Sequence, residues 1–139
     1  MKDDCIFCKL ANGMIPTSTL YEDELFKVIF DSNPASKGHA LIIPKEHYEN
    51  VYELGSREAE RVMPLAAKLG KALFEETGCD GLNVLQNNGT AAGQTVFHFH
   101  VHLIPRSEGD TVNMTWNQGE PDADYLCDLT QRVNRRLQK

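Results

Sequence analysis

The chain has no basic excess. Its 14 Lys and Arg residues are outnumbered by 20 Asp and Glu, leaving a formal net charge of −6. No positive field of the kind that gathers nucleic acid is therefore expected, and an enzyme acting on anions must collect its positive character locally. No apolar run approaches the ~20 residues of a membrane-spanning helix, so no membrane partner is expected. The opening stretch Met1-Lys2-Asp3-Asp4-Cys5 is acidic and has no apolar segment behind it. It does not read as a secretory leader, and the compartment is read as cytoplasmic. Repeats and low-complexity tracts are missing. Cysteine is scarce, with four residues, and their spacing is not that of a disulfide framework. What is present is an ordinary globular composition, 41% hydrophobic and 24% charged over 139 residues, enough for a single domain with a core over residues 1–139.

The pattern of elements is α+β. Residues 5–13 read as a short helix or turn broken by Gly13 and Pro16, and 20–24 as a short strand and turn. Residues 25–30, 40–43, 82–86 and 96–104 are β-rich runs bounded by turn residues, with Pro44 expected to stop the second of these. Between them Val62, Leu65, Ala66, Leu69, Ala72 and Leu73 recur at helical spacing. They predict one long helix that begins at Ser56 and is capped near Gly78. Pro64 predicts a kink or a later start. A second amphipathic helix is expected over 122–137, with Tyr125, Leu126, Leu129 and Val133 as its stripe. Cys79 and Cys127 are expected to pack as small hydrophobes.

The densest chemical signal is the run Val96-Phe97-His98-Phe99-His100-Val101-His102-Leu103-Ile104. Side chains of an extended strand alternate between faces, so the three imidazoles are expected on one face and Phe97, Phe99, Val101 and Leu103 on the other. Three readings compete. One is a half-buried strand whose polar face happens to be histidine. Another is a three-histidine catalytic zinc with an open position for water. The third is a nucleophilic histidine between two supporting ones. The preceding loop, Asn87-Asn88-Gly89-Thr90-Ala91-Ala92-Gly93-Gln94, favours the third. Its glycines let backbone approach a ligand closely, and its amides suit phosphate oxygens. Chemistry at phosphorus is the expectation. The Cys5-x-x-Cys8 pair suggests metal or redox chemistry in a reducing compartment.

The segment from Gly93 to Ile104 resembles the signature of the histidine-triad family of nucleotide hydrolases and transferases: His-x-His-x-His, two apolar residues after it and Gly-Gln ahead. Cys5-Ile6-Phe7-Cys8-Lys9, Ile15-Pro16, Tyr21-Glu22-Asp23, Phe30-Asp31-Ser32-Asn33-Pro34, Gly38-His39 and Ile43-Pro44-Lys45-Glu46-His47 follow the family's order and spacing. The likeness covers residues 4–106 and is loose over 107–139.

The resemblance implies an antiparallel sheet with a long helix and a C-terminal helix, two subunits pairing into a homodimer with one continuous sheet. It implies His100 as a nucleophile that carries a nucleotidyl group, with His102 and His39 around the reacting phosphate. It places Asn87, Gly93, Gln94 and Thr95 against phosphate, Asp31 on the ribose, and Ile6, Phe7, Ile29 and Phe30 around a purine. Cys5, Cys8, His47 and His98 would make a closed tetrahedral set for structural zinc, with no organic cofactor. Two substrate classes remain open: adenosine 5′-phosphoramidates and acyl-adenylates, or dinucleoside polyphosphates. A nucleotide-binding sensor or scaffold, and a zinc-supported redox or chaperone module on Cys5 and Cys8, are the readings from other classes.

Overall fold

In the computed structural model, which describes residues 1–138, the two central apolar runs become strands buried on both faces. These are β2 (Phe26–Phe30) and β3 (Ala40–Pro44). A sheet buried on both faces needs cover on both, and the helices supply it. Phe26, Val28, Ala40, Ile42, Val101 and Leu103 point to one face and pack with Val62, Leu65, Ala66 and Leu73 of α2 (Ser56–Thr77). Ile29, Leu41 and Ile43 point to the other and pack with Phe7, Cys8 and Ala11 of α1 (Ile6–Ala11). With β1 (Thr19–Glu22), β4 (Gly81–Leu85) and β5 (Val101–Arg106) the sheet has the order β1-β2-β3-β5-β4, every pairing antiparallel. This is the α+β architecture expected. α3 (Ala123–Leu137) follows a segment without regular structure.

Several expectations are corrected. The helix α2 runs through Pro64 and starts at Ser56. Pro64 is exposed, so water can satisfy the carbonyl that loses its donor. Ala72 is exposed, and the buried face of α2 includes Gly70 instead. A Cβ at Gly70 would lie 2.6 Å from Leu82 Cδ2, so its missing side chain is what lets helix and sheet approach. β3 includes Pro44 rather than stopping before it. The last strand begins at Val101 and extends to Arg106, rather than spanning 96–104. Its ladders reach only Leu85↔His102 and Ile42↔Val101, and beyond these β4 has turned into the glycine loop. Residues 96–100 have no strand to pair with. Phe97 is half exposed instead of joining the core. Cys79 is buried as expected, whereas Cys127 is exposed. The stripe of α3 exists, but none of its residues is buried.

Candidate active site and metal centre

The alternation expected of a strand survives in the irregular approach to β5. Phe99, Val101 and Leu103 join the α2-side core, while His98, His100 and His102 turn to the α1 side. The segment is tied down by Phe99 N–H, which donates to the Tyr48 carbonyl at 2.6 Å. Gln94 holds the loop in front of it. Its amide accepts from Gly89 N–H at 2.8 Å and donates to the Glu49 carbonyl at 2.7 Å.

Hydrogen-bond partners assign the imidazole tautomers. His100 Nδ1 lies 2.7 Å from the His98 carbonyl. A carbonyl only accepts, so Nδ1 carries the proton and Nε2 keeps a free lone pair. His39 Nδ1 accepts from Ala35 N–H at 2.9 Å, which puts its proton on Nε2. That Nε2–H donates to His102 Nδ1 at 2.9 Å. His102 in turn carries its proton on Nε2 and is a donor there. The result is one bare nitrogen and one N–H donor on neighbouring rings, whose centroids are 4.9 Å apart. Asp31, His39 and His102 also cluster closely enough to suggest a metal. A protonated His39 Nε2 offers that metal no lone pair.

Burial keeps the rings neutral. It lowers His39 and His100 below the ordinary histidine value and brings His102 down to about 4. His102 faces His100 and His39, whose charges would oppose its own, and Asp31, which only partly offsets them. The unfolded chain therefore binds a proton on this residue below about pH 6.5 that the folded chain refuses until about pH 4. Stability conferred by neutral His102 is present above pH 6.5 and is lost as pH falls toward 4. The melting temperature should decline through that window, and His102→Asn should make the decline shallower.

A cavity of about 480 Å³ opens onto these rings, lined by Phe7, Ile29, Phe30, Asp31, Thr95, His100 and His102 among others. Its size suits a small ligand. Its wall mixes apolar side chains, Phe7, Leu10, Ile29 and Leu41, with Asp31, Thr95 and the two histidines. Phe7 stands edge-on to His100, with centroids 4.8 Å apart. Asp31 also makes its own turn, accepting from Asn33 N–H at 2.8 Å through Oδ1. His39 lies behind His102 and does not line the cavity. Nor do Ile6, Asn87, Gly93 and Gln94. Ile6 faces a second cavity of about 270 Å³ with His47 and Phe97, on the far side of Thr95 and Val96. Gly93 has φ +97°, and a Cβ there would sit 3.5 Å from the Asn87 amide, so the loop is closed tightly at this point.

Cys5, Cys8, His47 and His98 converge on a common point. A tetrahedral zinc with its usual bond lengths separates two nitrogens by about 3.3 Å and a sulfur from a nitrogen by about 3.5 Å. His47 Nδ1 and His98 Nδ1 are 3.2 Å apart. Cys5 Sγ and Cys8 Sγ lie 3.4 and 3.5 Å from His98 Nδ1, and Cys8 Sγ lies 3.3 Å from His47 Nδ1. The donor set therefore fits a closed zinc site. His98 Nε2 is 2.8 Å from the Pro44 carbonyl, so it holds the proton and leaves Nδ1 bare for a metal. Burial keeps His98 neutral, bringing it down to about 4, and pushes the Cys8 thiol up. A thiolate at Cys8 needs a cation beside it to offset that burial.

The HIT domain family matches residues 12–109. This chain belongs to the HIT family. Among HIT relatives, adenosine 5′-monophosphoramidase hnt1 of Schizosaccharomyces pombe is 46% identical over 102 residues, 73% of this chain and 74% of that protein. The crystal structure of SMU.412c from Streptococcus mutans is 42% identical, with TM-score 0.92, and the match covers 99% of this chain and 87% of that one. The superposition thus runs through α3. A zinc-bound histidine triad family protein from Mycobacterium smegmatis is 32% identical, with TM-score 0.75, and the match covers 97% of this chain and 96% of that one.

Some parts of this HIT site escaped sequence reasoning. Leu10 and Leu41 line the cavity. Leu10 stands three residues after Phe7 on α1, and Leu41 stands between core-facing Ala40 and Ile42. Helical and strand periodicity could have found both. The carbonyls of Pro44, Tyr48 and His98 set ring tautomers and the path of the chain. Backbone acceptors leave no residue-type signal.

Proposed function

We propose that this protein hydrolyses adenosine nucleotides at the α-phosphate through a covalent nucleotidyl-His100 intermediate. The observation that carries the reading is the pairing of tautomers: a bare His100 Nε2 and a His102 Nε2–H on two neighbouring rings that line a cavity with apolar side chains and a carboxylate. His100 Nε2 attacks phosphorus, the P–N or P–O bond to the leaving group breaks, and His102 donates a hydrogen bond to the reacting phosphate or the departing group. Water then cleaves the P–N bond to His100, releasing the nucleoside monophosphate and returning His100 to its starting state. His39 keeps the His102 proton on Nε2. Thr95 binds the phosphate region from the cavity wall, with Asn87, Gly93 and Gln94 shaping the loop in front of it. Asp31 accepts from the ribose hydroxyls, and Phe7, Ile29 and Phe30 enclose the purine. Ile6 is left at the margin of this arrangement.

Zinc on Cys5, Cys8, His47 and His98 supplies a cross-link between α1 and the histidine segment, and all four of its positions are taken by protein. It orients His98, whose carbonyl in turn holds the His100 proton on Nδ1. The working unit is proposed to be a homodimer. The name of the fission-yeast relative favours phosphoramidates as substrates over dinucleoside polyphosphates. Purified metal-replete protein should release AMP from adenosine 5′-phosphoramidate with a higher kcat/KM than from diadenosine tetraphosphate. The reverse order would assign the other branch. Tight AMP binding with no turnover of either compound would sink the enzymatic reading in favour of a sensor.

A further inference from the structure

α3 is an amphipathic helix whose apolar stripe is left mostly uncovered, with only Leu129 partly shielded. Tyr125, Leu126, Val133 and Leu137 are exposed, and no residue of the helix is buried. Its side chains make hydrogen bonds only among themselves and with its own backbone among the described residues. A 15-residue helix of this kind is marginal on its own in water and requires an apolar surface to lie on. Such a surface exists elsewhere on the molecule. On the α2 face of the sheet, Leu20, Phe30, Leu69, Ala72 and Leu73 line a groove of about 320 Å³ with almost no polar wall. Leu20 and Phe30 are still partly exposed there. α2 makes its main contacts with β3, β4 and β5, and past Phe26 and Val28 its flank facing Leu20 and Phe30 forms this groove.

We propose that α3 of one copy docks in the groove of a second copy of this chain. Three observations select that occupant. The superposition on the Streptococcus mutans structure includes α3, so the helix keeps the same outlying place in a solved relative. A helix that buries no residue in its own chain, yet holds its place, needs cover from outside. The charges match: Glu76 sits on the groove's rim, next to Glu75, while Arg135 and Arg136 lie at the end of α3, none of the four in an ion pair among the described residues. The connecting segment 107–122 is mostly exposed and carries no helix or strand, as an exchanged arm requires.

The inference stands apart from the proposed chemistry, because its test reads mass rather than turnover. Ala72→Cys and Leu129→Cys are combined in a Cys127→Ser background, and the zinc-loaded full chain is treated with a short bis-maleimide. Ala72 and Cys127 are exposed and Leu129 lies on an unburied helix, so folding is not at stake. The expected product has twice the chain mass on denaturing gels. With Gln131→Cys, on the opposite side of α3, in place of Leu129→Cys, that product should almost vanish. A link formed within one chain would place α3 in its own groove and overturn the proposal. So would the absence of any link between two freely titratable thiols, or equal linking from both faces of the helix.

Discussion

His100→Ala is expected to lower AMP release by at least ~10³-fold while leaving AMP binding nearly unchanged. The size of the loss follows from what the substitution removes. Among the described residues, His100 is the only cavity-lining histidine whose Nε2 is bare, since the two partner bonds of the His39–His102 chain fix the remaining proton on His102 Nε2. No neighbour can take over as nucleophile, because His102 would have to lose its bond from His39 and change tautomer first. Binding survives because Ile29, Phe30 and Asp31 remain on the cavity wall, and Phe7, which packs edge-on against His100, is also held by the α1-side core. Calorimetry with AMP and a turnover assay on the same preparation separate the two quantities. Turnover within tenfold of wild type would eliminate the covalent route.

Cys8→Ala is expected to empty the metal centre and lower the melting temperature by ~10 °C or more, the effect of losing several kcal/mol in a domain of this size. Cys8 is fully buried between α1 and the sheet, and its Sγ reaches both His47 and His98. Without it, two imidazole nitrogens 3.2 Å apart have only one thiolate left to share a cation with. The effect should spread to turnover. His98 stands at one end of the tautomer chain and its carbonyl fixes the His100 proton, so a loosened His98 lets His100 invert. Cys79→Ala provides the control, being another buried thiol outside the cluster. Metal analysis and a thermal melt read the result. A wild-type protein that melts at the same temperature with and without a strong chelator would rule out a structural zinc.

The site was legible where it is written in local spacing. Phe7 and Asp31 lie beside turn and cysteine motifs, and the cavity has both on its wall. Ile6 shows the limit of that reading. It stands next to Phe7 in sequence, but one residue along a helix is a rotation of 100°, and α1 carries it into the smaller cavity beyond Val96. The histidine run was legible as an alternation and illegible as a strand. Whether residues 96–100 enter a ladder depends on where β4 stops, more than ten residues earlier, and on the path of the glycine loop between them. Pro64 misled because its cost depends on whether the freed carbonyl is wet, which is a property of the packed helix. The stripe of α3 was read correctly from its period, but period says only that a face is apolar. What lies against that face is not written in the period.

Neighbouring residues on β2 point in opposite directions, and Phe30 borders both the cavity at His100 and the apolar groove. The thickness of one aromatic ring separates the cavity at His100 from the apolar groove. An arm seated in the groove would brace Phe30 from behind, and an empty groove would leave that wall soft. Affinity for nucleotide would then rise with the concentration of the protein itself, so that dilution alone could turn the enzyme down.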